Sequence, residues 1–141
     1  MFGWRSHMGL IFFAVVNLFI SIIALVLLSH GIVIGFEDQL SVIVTVNIHQ
    51  LHSLLILIAP LITKVFITSK FMVNSIRFIV VLFSLGIFFF CLNIYVKKLF
   101  FIDYLSLFIP YGGAFLLFGW VVLIVSLAVT LVKIKFLVNK A

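Results

Sequence analysis

Residues 8–28 read MGLIFFAVVNLFISIIALVLL, 21 residues without an Asp, Glu, Lys or Arg. Crossing the roughly 30 Å hydrocarbon core of a bilayer takes about 20 helical residues at 1.5 Å each. The run is therefore long enough. Hydrocarbon leaves backbone N–H and C=O groups no partner except one another, a need that an α-helix meets within a single segment. The run follows Arg5 as the apolar part of a secretory leader would, yet it is longer than such a part. Leu27-Leu28-Ser29-His30 is also a poor small-residue cleavage site. It reads as a retained transmembrane helix.

Three further stretches have the same character: residues 42–62, 78–96 and 111–132, each free of Asp, Glu, Lys and Arg. Val and Ile are frequent in them, but none alternates apolar and polar residues at period two as a barrel strand does. The chain of 141 residues is 67% hydrophobic and 9% charged, against roughly 45–50% and about 25% in soluble domains. That is too little polar surface to cover a water-soluble globule. The expected fold is an all-α integral membrane protein, one four-helix transmembrane bundle over residues 1–141 with up-down-up-down topology. Pro60 near the end of span two and Pro110 just before span four fall where helices end and begin. Among the connectors only residues 29–41 have room for local structure, a short interfacial turn at Phe36-Glu37-Asp38-Gln39-Leu40.

Direction follows from the basic residues. Arg5, Lys64, Lys70, Arg77, Lys133, Lys135 and Lys140 fall on one side of such a bundle. Lys97, Lys98 and all three acids, Glu37, Asp38 and Asp103, fall on the other. The positive-inside rule places the seven-residue side, with both termini, in the cytoplasm. Tyr95, Tyr104 and Tyr111 are then expected in an aromatic belt at the outer interface, with Trp4 at the inner one. The net charge of +6 is divided among helix ends rather than gathered beside aromatics, which argues against nucleic acid as a partner.

Polar side chains inside a span need partners, so they mark what faces the bundle interior. Thr45, His49 and His52 share one face of span two, at i, i+4 and i+7. Ala14, Asn17, Ser21 and Ala24 form a small and polar stripe on span one, and Gly112, Gly119 and Ser126 recur every seven residues on span four. Such stripes are read first as packing seams. Counting along the helices places His30 at the outer rim, with Asn47, His49, Gln50 and Asn93 within about 12 Å of the outer surface. His52, Asn17 and Trp120 come out near mid-depth, and the inner half is almost wholly apolar. His30, Asn47, His49, His52 and Asn93 thus outline a candidate polar funnel that opens outward.

The imidazoles of His30, His49 and His52 carry the ligand chemistry for zinc, copper or haem iron. No Cys, Asp or Glu lies at matching depth to complete a site, so no metal and no cofactor is expected, and a three-histidine site stands as the alternative. Cys91 is a lone small residue within an apolar run. No acid is placed to orient a Ser–His pair, and no Gly-rich phosphate loop is present. The sequence therefore offers no catalytic constellation.

The segment Pro110-Tyr111-Gly112-Gly113-Ala114-Phe115-Leu116-Leu117-Phe118-Gly119-Trp120 resembles the P-x-G-G-x-x-x-L-x-G-W signature of the YgdD-like family, small four-span bacterial inner-membrane proteins with eukaryotic relatives. His52-Ser53-Leu54-Leu55 agrees with that family's Y-Q-x-x-H-x-L-A segment at the His, and Gly86, Phe90 and Tyr95 agree with its G-x-x-x-F-S-G-S-L-Y. His30 falls where the family closes its first span with His. Ile48 and His49 stand in place of the family's Tyr and Gln, and Cys91, Leu92 and Asn93 in place of Ser-Gly-Ser. The resemblance extends over roughly residues 8–133. It carries over His30, His52, Pro110, Gly112, Gly113, Gly119 and Trp120, and it implies a bacterial plasma membrane or an organellar inner membrane. It implies no activity.

Taken together, these features lead to the expectation of a non-enzymatic membrane component whose partner is the bilayer and either another membrane protein or a second copy of itself. The alternative is small-molecule, ion, metal or haem binding or transport through the funnel. Asn17, Pro110, Gly112, Gly113, Gly119 and Trp120 are expected to be structural. The topology is open to direct test. A membrane-impermeant thiol reagent added outside should label Glu37→Cys and Asp103→Cys and leave Lys70→Cys untouched until the membrane is opened. The reverse pattern refutes the orientation.

Overall fold

The computed structural model of the chain describes residues 4–30, 34–65 and 69–138. Regular structure within them is helical: α1 (Trp4–His30), α2 (Phe36–Val65), α3 (Lys70–Gly86), a π-helical turn (Ile87–Leu92), α4 (Asn93–Phe100), a 3-10 turn (Ser106–Phe108) and α5 (Ile109–Val138). α3, the π turn and α4 continue one another as a single rod. Four rods result, each long and apolar enough to cross a membrane. The protein is a four-helix transmembrane bundle in which successive rods run antiparallel. The side chains of Trp4 and Arg5, and Lys140, lie outside the described residues.

Residues 36–40 form no separate turn. They begin α2, and Glu37 and Asp38 occupy its first turn, where acids complement the positive end of the helix dipole. The helix therefore starts six residues ahead of the apolar run that marks it in the sequence. Pro110 is the second residue of α5, where its missing N–H would have had no intrahelical partner in any case.

The second and third rods form the interior pair. In their most apolar windows 44% and 56% of residues are buried, against 22% and 17% in the first and fourth. α1 packs on α2 through its stripe of small residues, with Ala14, Asn17, Ser21 and Ala24 all buried. Asn17 meets His49 across this interface, and that contact sets the antiparallel register. Counting outward from it at equal rise brings Ser21 level with Thr45 and Ala24 level with Val42, and these four are buried as well.

α5 packs on the third rod by alternating size. A Cβ on Gly112 would overlap the backbone nitrogen of Phe90, one on Gly86 would overlap the Leu116 side chain, and one on Gly119 would sit 2.5 Å from the Phe83 ring. A glycine on one helix therefore faces a large side chain or bare backbone on the other at three successive levels. Ser126, also buried, continues the stripe. Close helix approach through small residues favours association in lipid, where no hydrophobic effect drives helices together.

The π turn governs the outer half of the third rod. Ile87, Cys91, Tyr95 and Leu99, spaced by four, are all buried. In a straight α-helix three steps of four residues would carry the last about 120° off the starting face. The wider turn at residues 87–92 absorbs that rotation and keeps them in line. Tyr95 is consequently 5% exposed and points into the bundle, so it does not join the expected interfacial belt. Tyr104 and Tyr111 are exposed near the same end. Beyond α4, Phe101 adopts a left-handed backbone (φ 58°), and Lys97 bonds Asp103 at 3.1 Å across the turn. Lys98 pairs with Asp38 and ties this end of the third rod to the start of α2.

The ladder makes a sharp distinction between neighbouring glycines. Gly112→Ala drives a methyl group into backbone that cannot rotate away, and it should cost about 1–3 kcal/mol, as overpacked cores do. Gly113→Ala meets only the edge of the Phe90 ring at 3.6 Å and should be close to neutral. Thermal unfolding of the two variants in the same detergent checks this, and equal melting temperatures would refute it.

Candidate functional site

The polar side chains of the spans fall into two hydrogen-bonded groups. The first links three helices. Asn17 Nδ2 donates to the Phe13 carbonyl at 2.8 Å, which leaves Asn17 Oδ1 as an acceptor facing His49 Nε2 at 3.3 Å. An acceptor there requires a proton on Nε2. His49 Nδ1 then carries the lone pair and accepts from the Tyr95 hydroxyl at 3.3 Å. The chain of bonds runs in one direction, from Tyr95 on α4 through His49 on α2 to Asn17 and the Phe13 carbonyl on α1.

The second group joins α2 to α5. His52 Nδ1 donates to the Ile48 carbonyl, one turn back, at 2.7 Å. Its Nε2 is 3.1 Å from Trp120 Nε1. Indole nitrogen can only donate, so His52 Nε2 is the acceptor and the ring is neutral with its proton on Nδ1. The His52 ring also stands edge-on to Phe83, 4.8 Å between centroids, and Phe83 contacts Trp120 at 5.9 Å. Gly119 makes room for that Phe83 ring. The two histidines, one turn apart on the same helix, therefore hold their protons on opposite ring nitrogens.

The residues expected to form a funnel separate. His49, His52 and Asn93 are buried, whereas His30 and Asn47 are exposed. Asn47 lies two residues from Thr45 and His49, about 200° around the helix from each, and so points away from the face they share. Asn93 turns back on its own helix, with Nδ2 on the Phe89 carbonyl at 2.7 Å. Asn17, Gly112, Gly119 and Trp120 all sit at helix contacts. Pro110 is exposed and Gly113 partly so. Among the described residues no group of three or more His, Cys, Asp or Glu side chains is placed to hold a metal ion.

Tyr95 and Ser53 were not singled out as site residues by the sequence. The spacing Ile87, Cys91, Tyr95, Leu99 is the trace of the π turn that aims Tyr95 inward. Ser53 is fully buried and its hydroxyl has no hydrogen-bond partner among the described residues, so that level of α2 uses small size rather than polarity.

The stretch that holds His49, His52, the π turn, Tyr95 and the first half of the glycine ladder is also what comparison with known proteins picks out. A family described as protein of unknown function (DUF423) matches residues 29–113. The chain belongs to this family. The DUF423 match begins beside His30 and ends at Gly113, so Gly119 and Trp120 lie just beyond it. No curated protein and no solved structure matches the chain.

The first bond group predicts how position 49 responds to change. In His49→Gln the amide can still donate to Asn17 Oδ1 while its carbonyl accepts from Tyr95, and stability should stay near wild type. His49→Leu strands the Tyr95 hydroxyl and the Asn17 oxygen, and should cost about 1–3 kcal/mol. Unfolding in detergent compares the two, and a Leu variant as stable as the Gln variant would refute the account.

Proposed function

We propose that this chain is a non-enzymatic membrane component that acts by packing against itself or another membrane protein. The observation that carries the reading is the closure of the polar core. All four ring nitrogens of His49 and His52 are engaged within the chain. A metal, haem or small molecule would have to break those bonds to bind there, and each breakage would strand a buried donor or acceptor. The outward faces of α1, α2 and α5, by contrast, are broad and apolar. Surface of that kind recognises helices and lipid.

The membrane we propose is a bacterial inner (plasma) membrane, with an organellar inner membrane as the alternative, and both termini on the cytoplasmic side. The division of charge supports this. Lys97 and Lys98 are each paired with an acid, while every other Lys and Arg belongs to the end that carries the termini.

Purification in a mild detergent tests the proposal, with particle mass measured by light scattering and metals by elemental analysis. The expected particle is larger than one chain, through a partner or a second copy, and carries no stoichiometric zinc, copper or iron. A single chain with a bound metal or organic molecule that is lost in His52→Leu would overturn it.

A further inference from the structure

Asn47 is out of place for a residue facing lipid. It lies nine residues into α2 from Asp38, about 14 Å along the helix, which is deeper than the headgroup layer of about 5–7 Å on each side of the hydrocarbon. Its side chain is exposed, and its amide makes no hydrogen bond among the described residues. The other exposed polar side chains of the described spans sit close to helix ends, where water and headgroups reach them. Hydrocarbon can satisfy neither the donors nor the acceptor of an amide, and each polar group left bare there is costly.

The neighbours of Asn47 on this face follow a strict spacing. Leu40, Val44, Asn47, Leu51, Leu54 and Ile58 alternate steps of four and three residues, and all are exposed. That is the seam of a left-handed helix pair, the geometry in which two helices cross at about +20° and interlock side chains over several turns. The buried face of α2 is already taken by α1, the third rod and Trp120, so this second seam has no partner within the chain.

From the stranded amide and the seam around it, we infer that the outward face of α2 is a dimer interface that takes a second copy of this chain. The inference rests on the packing function proposed above and names its partner. Every copy inserts in the same direction, so two α2 helices related by a twofold axis along the membrane normal run parallel with equal residues at equal depth. Asn47 then meets Asn47. An amide both donates and accepts, which makes the pair self-complementary, and a single Asn in an apolar seam is the device that fixes register and pairing in parallel helix dimers. A different membrane protein would need its own amide or hydroxyl at this depth, whereas the second copy brings one by symmetry.

The full-length protein in liposomes tests this, with dimer fraction read by single-molecule photobleaching over a range of dilutions. Asn47 is exposed, so Asn47→Leu should fold normally and weaken dimerisation about 3- to 30-fold, the range of interhelical hydrogen bonds in membranes. Asn47→Gln should restore most of the affinity. Oxidation should cross-link Leu51→Cys, on the seam, and not Leu117→Cys, an exposed position on α5. A chain that is monomeric at every dilution overturns the inference, as do an unchanged dimer in Asn47→Leu and cross-linking through Leu117→Cys in place of Leu51→Cys. A monomer that co-purifies with another membrane protein sinks the self-pairing but keeps the packing function. A monomer with no partner at all sinks both.

Discussion

Hydrocarbon forms no hydrogen bonds, and nearly every feature of this bundle answers to that fact. Backbone groups are satisfied inside helices. The side-chain amide of Asn17, the imidazoles of His49 and His52, the Tyr95 phenol and the Trp120 indole are satisfied between helices. Each of these bonds is modest in energy, averaging about 0.6 kcal/mol in membranes. Their force lies in what happens without them, because a slipped or rotated helix would leave donors and acceptors bare in oil. The bonds act as register pins. Packing contacts come from the close approach that the glycines permit between α5 and the third rod.

The two halves of the bundle solve the packing problem differently. The α1–α2 pair uses small and polar residues together, and Asn17–His49 fixes its level. The pair formed by α5 and the third rod relies on shape, glycine against Phe or Leu at successive levels. His52 and Trp120 connect the halves. A polar clasp and a steric ladder are complementary, since the first specifies alignment with few contacts and the second supplies many contacts with weak directionality.

Much of this was legible in the sequence. The four spans show directly, because apolar runs near 20 residues without charge have no other stable home than a bilayer. The stripe Ala14-Asn17-Ser21-Ala24 and the seven-residue repeat Gly112-Gly119-Ser126 mark the helix faces that pack. Counting the helical rise puts His52 and Trp120 at one depth, and they are bonded. The differences have separate causes, and the largest comes from a local departure from the α-helix. The π turn shifts the phase of everything after residue 92, so Tyr95, read as an interfacial aromatic, faces His49 instead. The polar start of α2 at Phe36-Glu37-Asp38 lacks a long apolar run and so resembles a turn in the sequence, although its acids suit the first turn of a helix. Depth alone groups Asn47 with the histidines, and angle around the helix separates them.

The order of the chain gives these bonds a place in time as well as in space. Asn17 and His49 are separated by 32 residues, so at about 5–20 residues per second the amide of the first helix has its partner made within about 2–6 seconds of its own synthesis. His52 is separated from Trp120 by 68 residues, and its ring stays without that donor for about 3–14 seconds. Its bond to the Ile48 carbonyl, within its own helix, is available at once. A nascent chain leaving the ribosome therefore carries each histidine with one nitrogen already occupied, or soon to be, before the fourth helix exists. The wiring that closes the finished core also shortens the interval in which its polar groups meet lipid bare.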